Sequence, residues 1–134
     1  MIVLSNTTAQ TLTPGQSITF NDTVLHTGCA ECHRNNTGSI KLRANGAYEV
    51  SFSGNVSSPT AATQVQLTVQ LGGASLPETQ MISTPSAASS LNNVSTSTVV
   101  KNCCGDYDRI TVVNTGATDI NIGANPVLTI KRLS

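Results

Sequence analysis

Strict alternation of apolar and polar side chains is the feature that most constrains this chain. Val65, Leu67, Val69 and Leu71 alternate with Gln64, Gln66, Thr68 and Gln70 for eight residues. Just upstream, Tyr48, Val50 and Phe52 share one side while Glu49, Ser51 and Ser53 share the other. A period of two with β-branched or aromatic residues on one side marks a strand of an antiparallel sheet with one face buried. Weaker strands are expected at Ile2–Leu4, Ser17–Phe20, Thr23–Leu25, Ser39–Leu42, Ser95–Val100, Arg109–Val113, Asp119–Ile122 and Val127–Lys131. Reversals such as Thr13-Pro14-Gly15, Asn45-Gly46, Gly72-Gly73 and Gly123-Ala124-Asn125-Pro126 separate them at short intervals. The small, polar run from Ser83 to Ser90 reads as a long surface loop. Nowhere does a three-four apolar spacing persist for three turns, so essentially no helix is expected. The class is all-β: one antiparallel sandwich or barrel over residues 1–134, with jelly roll one standard arrangement.

Composition supports strands and narrows function. Only 10% of residues are charged, against roughly 25% in an average soluble protein. Ser, Thr, Asn and Gln take their place, suiting hydroxyl- and amide-covered sheets better than helices. Seven acids balance seven bases, with no run of either sign. A nucleic-acid partner would need a basic footprint to neutralise phosphates, and none is present. A surface with so little charge to keep copies apart favours association, so an oligomer is expected. No apolar run reaches the roughly 18 residues of a membrane span. Met1-Ile2-Val3-Leu4 lacks a basic lead and turns polar at once, so no secretory leader is expected. Sequons at Asn6, Asn21, Asn35, Asn55 and Asn93 then carry little meaning in a chain this rich in Asn, Ser and Thr.

The run from Gly38 to Phe52, with Ile40, Leu42, Gly46, Tyr48, Val50 and Phe52 at its fixed points, resembles the core motif of TNF/C1q-like jelly-roll domains. The likeness continues through Val65–Leu71 and Leu76-Pro77-Glu78-Thr79, then Arg109–Gly116 and the closing Val127–Leu133. It covers roughly residues 17–133 and is most like the small phage and bacterial type, which includes head-fibre and decoration proteins and spore-surface collagen-like proteins. The resemblance implies a homotrimer with one sheet of each protomer facing a threefold axis. It further implies packing roles in core or trimer for Tyr48, Val50, Phe52, Val65, Leu67, Val69, Leu71, Ile110, Val112, Leu128 and Ile130. Residues 1–13 are a candidate attachment arm.

Chemistry could reside only around the cysteines. Cys29-Ala30-Glu31-Cys32-His33 matches the C-x-x-C-H spacing of c-type haem attachment, but the chain has two Phe, two Tyr and no Trp to line a haem pocket. Zinc is better grounded: two thiolates at that spacing can share one tetrahedral ion, with Cys103 or Cys104 and His33 or His26 completing a set. A disulfide between the two clusters and free, half-buried thiols are the other readings. A cysteine nucleophile paired with histidine lacks any recognisable oxyanion site. Gly105-Asp106-Tyr107-Asp108 reads as a solvated turn before it reads as a calcium loop. The expectation is therefore a non-enzymatic virion structural protein without a cofactor. It would be made in the host cytoplasm and displayed on the capsid as decoration or fibre. Its partners would be its own copies, a capsid protein and surface glycans, with no nucleic acid or membrane. The alternative is a ligand-binding module of a bacterial cell or spore surface.

Overall fold

The computed structural model describes residues 1–28, 30–33, 37–60, 63–84, 86–102 and 109–133. Along the chain run β1 (Ile2–Ser5), β2 (Gln10–Leu12), β3 (Asp22–His26), β4 (Glu31–His33), β5 (Ile40–Leu42), β6 (Gly46–Ser57) and β7 (Val65–Leu71). After them come β8 (Ala74–Ser75), a 3-10 turn at Pro77–Thr79, β9 (Met81–Ser83), β10 (Asn92–Asn102), β11 (Arg109–Asn114), β12 (Ile120–Ile122) and β13 (Val127–Arg132). The described residues contain no α-helix, as the missing three-four periodicity requires.

The strands form two antiparallel sheets. The seven-stranded sheet is organised by β6, whose one edge pairs with β10 through eleven residue pairs, from Asn92↔Val56 to Asn102↔Gly46. Its other edge is shared: β13 takes Tyr48–Ser53 and β12 takes Val56 and Ser57. Gly54 lies at that handover, where an added Cβ would come within 3.2 Å of Pro126 and 3.1 Å of the Phe52 ring. Beyond β13 the sheet continues through β1 to β3, and beyond β12 to β2. The second sheet runs β4-β5-β11-β7, with β8 and β9 both paired to β7.

One core fills the space between the sheets. Tyr48, Val50, Phe52, Leu128 and Ile130 from the first sheet meet Val65, Leu67, Val69, Ile110 and Val112 from the second, each at most 2% exposed. Full burial of an aliphatic or aromatic side chain is worth about 1.5–3 kcal/mol, so this two-sided layer supplies most of the driving force. Leu71 is only partly covered, because β7 ends there in the Gly72-Gly73 turn. The other ten of these residues are sealed inside their own sandwich. Side chains without exposed surface cannot also form a contact between copies, so any such contact would use other residues.

Several local expectations are corrected. Ser17–Phe20 is not a strand but a crossing segment with isolated bridges, Ser17↔Val113 to β11 and Phe20↔Thr37 to the segment between β4 and β5. Ile18 and Phe20 are nonetheless fully buried. The strand expected at Thr23–Leu25 is present as β3, exposed along its whole length and paired only with β1 at the sheet edge. Residues 1–13 do not form a free arm: β1 lies between β13 and β3, β2 pairs with β12, and Ile2, Leu4 and Leu12 are core. The loop expected from Ser83 to Ser90 does connect β9 to β10.

The Leu76-Pro77-Glu78-Thr79 segment has a clear task. β7 pairs with β8 at Gln70–Leu71 and with β9 at Val65–Leu67, which leaves a gap in the ladder between them. The buried Thr79 hydroxyl fills it, accepting from the Val69 amide at 3.0 Å and donating to the Leu76 carbonyl at 2.7 Å. A buried amide without a partner costs about 1–3 kcal/mol. Thr79→Val is expected to lower unfolding free energy by about that amount, read from the urea midpoint at unchanged slope. A neutral result would show that the gap closes without the hydroxyl.

Candidate functional site

In β4 the side chains alternate, and this divides the cysteine-histidine motif. Glu31 turns inward at 1% exposure, Cys32 lies exposed on the outer face, and His33 is half-buried on the inner side. The His33 ring packs edge-on against Phe20, with centroids 6.2 Å apart, and its Nε2 lies 2.8 Å from the Thr37 carbonyl. A nitrogen facing a carbonyl donates to it, and Nδ1 is buried without a hydrogen-bond partner. Cys32 and His33 therefore point to opposite sides of the strand. One ion beside this strand would therefore not reach both; the Cys29–Cys32 pair of the spacing argument includes a residue outside the described ones. Cys29, Cys103 and Cys104 lie outside the described residues, as does Asp106–Asp108. His26 Nε2 is 2.9 Å from the Glu31 carbonyl. Among the described residues, no three His, Cys, Asp or Glu side chains gather where they could hold a metal.

The same end of the sandwich carries a buried polar clasp. The Tyr48 hydroxyl donates to the Ala44 carbonyl at 2.6 Å, and Asn102 Nδ2 donates to the Leu42 and Ala44 carbonyls at 3.2 and 3.1 Å. Tyr48 and Asn102 belong to the first sheet, whereas Leu42 ends β5 of the second, so these bonds tie the sheets together. Glu31 Oε2 receives the Met1 ammonium at 3.2 Å, while Glu31 Oε1 and Asn102 Oδ1 are buried without partners. Sequence reasoning missed Glu31 and Asn102, although Glu31 holds an inward position of an alternating run. Burial pushes the Tyr48 phenol above its ordinary value of 10.0; the Glu31 charge adds to this, while the Ala44 hydrogen bond and Arg132 oppose it. Among the described residues, nothing here combines a nucleophile, a base and an oxyanion site.

Outside the core, the seven-stranded sheet presents a face of small polar side chains. Val50, Phe52, Leu128 and Ile130 point inward, so Ser51, Ser53 and Thr129 point outward, beside Ser95 and Ser97 of β10. Val99 and Val127 stand exposed among them, at 57% and 40%. Lys131 lies opposite Glu49 toward one end, and exposed Asp22 of β3 lies opposite Ser5 toward the other.

No protein-family model matches the sequence, and no curated protein matches it. Solved structures do match in three dimensions. The globular domain of zebrafish complement 1qA superposes with a TM-score of 0.75 at 15% identity, covering 99% of this chain and 96% of that one. Eiger TNF from S. frugiperda gives 0.81 at 10% identity, covering 99% and 91%. The PRD1 vertex protein P5 gives 0.54 at 17% identity, covering 99% and 97%. The chain is thus an all-β protein with the TNF/C1q-like jelly-roll fold. At these identities the likeness is one of fold.

Two outcomes check this reading of the site. Cys32→Ser is expected to change stability by less than about 0.5 kcal/mol, as for an exposed side chain with no structural partner; a large loss in chemical denaturation would restore a ligand role. For Tyr48, the folded protein holds a proton that the unfolded chain releases near pH 10, so stability falls as pH rises past that point. Tyr48→Phe should lose about 1 kcal/mol at neutral pH and show a shallower fall in Tm above pH 10 than the parent. Equal alkaline slopes would refute the buried phenol as its cause.

Proposed function

We propose that this protein is a non-enzymatic structural component of a phage particle, a homotrimer carried on the capsid surface as decoration or fibre, with adhesion to surface glycans. The observation that carries the reading is the outer face of the seven-stranded sheet. It is hydroxyl-covered and nearly uncharged at its centre, so three copies can approach without stranding buried ions. Small side chains let backbones come close, and Val99 and Val127 supply apolar area that is costly to leave wet. Zero net charge and few charged residues favour association. The fold is shared with TNF and C1q domains, and with a phage vertex protein of nearly the same extent. A scaffold of this kind acts through contacts and display, and its described residues hold no catalytic constellation.

Light scattering on the purified full chain is expected to give three times the monomer mass at micromolar concentration. Ser51 and Thr129 are register partners at the centre of the proposed face. Ser51→Arg/Thr129→Arg should convert the trimer to a folded monomer, weakening association at least about tenfold, because like charges must then be desolvated against one another. A stable wild-type monomer, or a trimer indifferent to both arginines, would sink the assembly. The particle role is checked by whether the protein co-purifies with virions at a fixed copy number.

A further inference from the structure

The outer face of the seven-stranded sheet is not uniform from edge to edge. The registers lay one row of outward side chains across five strands: Leu25 of β3, Val3 of β1, Thr129 of β13, Ser51 of β6 and Ser97 of β10. The row on one side holds Val127, Ser53 and Ser95, and the row on the other holds Lys131, Glu49 and Val99. Toward β3 the face is apolar. Leu25 is the direct partner of Val3, and Val127, whose own partner is Ser5, lies diagonal to Val3. Such diagonal neighbours remain within reach of each other. Leu25 is 43% and Val127 40% exposed. Toward β10, Val99 stands alone at 57%, between Ser97 on its own strand and Glu49 across the ladder. β3 and β10 end the sheet on opposite sides. Leu25 and Val99 are thus four strand spacings apart, about 19 Å, and cannot meet within one copy.

Resting on the homotrimer proposed above, we infer that its contacts run head to tail, with Val99 of each copy packed into the Leu25–Val3–Val127 cluster of the next. A threefold ring needs a heterologous contact of this kind, in which every copy offers one surface and receives with a different one. This face carries both, on either side of a hydroxyl-covered middle. Joining them covers apolar side chains that a lone copy leaves wet. Charge agrees with the pairing. Glu49 and Lys101 flank Val99, while Lys131 and Asp22 flank the cluster, so each half is neutral and strands no net charge when covered. Glu49 is the register partner of Val99 and Lys131 lies diagonal to Val3, so the contact carries the acid of one copy toward the base of the next. The register shift at Val3/Leu4 blunts the β3 edge as a ladder, which leaves side chains to make the contact.

Light scattering on the purified full chain would compare the wild type with Val99→Lys, Leu25→Glu and the double variant. Both positions are exposed, and circular dichroism checks that each variant keeps the fold. Each single change should weaken assembly at least about tenfold, because a lone charge is then set against apolar side chains. Val99→Ser, which only removes the protruding side chain, should weaken it in the same direction. Val99→Lys/Leu25→Glu should regain the trimer, since the two charges meet only across the contact between copies. A wild-type trimer indifferent to the single changes, or lost in both and not regained in the double, would overturn this contact and leave the trimer standing. Wild-type dimers or open arrays that are lost and regained in the same way would keep the contact and overturn the threefold ring. A wild-type monomer would sink both.

Discussion

Everything in this molecule is referred to β6. Its twelve residues hydrogen-bond to β10 along one edge and to β13 and β12 along the other, so three later segments take their position from it. Its inward side chains Tyr48, Val50, Phe52 and Val56 form one wall of the core. A one-residue slip would send that apolar set to solvent and bring Glu49, Ser51 and Ser53 inside. The register is therefore held by burial over the whole strand, and Gly54 admits Pro126 at the one place where the neighbouring strand changes.

With the core satisfied from within, the two outer faces are free to diverge. One is small, hydroxylated and nearly neutral; the other sets Lys41 and Arg109 side by side over open grooves. The polar interior is sparing: Thr79 completes a ladder, and Tyr48 with Asn102 joins the sheets through backbone carbonyls. Each spends a side chain on an amide or carbonyl that strand pairing does not reach.

Much of the fold was legible from local pattern, and the misses have physical causes. β6 and β7 declared themselves because both alternate for seven or more residues around a buried face. The two-residue β8 and the three-residue β2, β4 and β9 are too short for a period to register; β8 and β9 pair with the longer β7, while β2 and β4 pair with the equally short β12 and β5. Ser17–Phe20 alternates like a strand, yet it pairs only through isolated bridges. Thr23–Leu25 is the strand its composition announced, and lying at an edge it buries neither face. The spacing of Cys29 and Cys32, with His33 or His26, suggested one shared ligand; strand alternation sends Cys32 and His33 to opposite sides, and Cys29 lies outside the described residues.

The sequence by itself determined the class of fold and the partition of each long strand into an inner and an outer face, because both follow from a local period of two. It equally determined the low charge that disposes the surface to association. Only the tertiary structure decided which strands meet, and so which outward residues become neighbours. Lys41 and Arg109, or Ser51 and Thr129, are brought together by the closing of sheets over long stretches of chain. Their pairing minimises exposed apolar area over the whole sandwich, a quantity no short window of sequence contains.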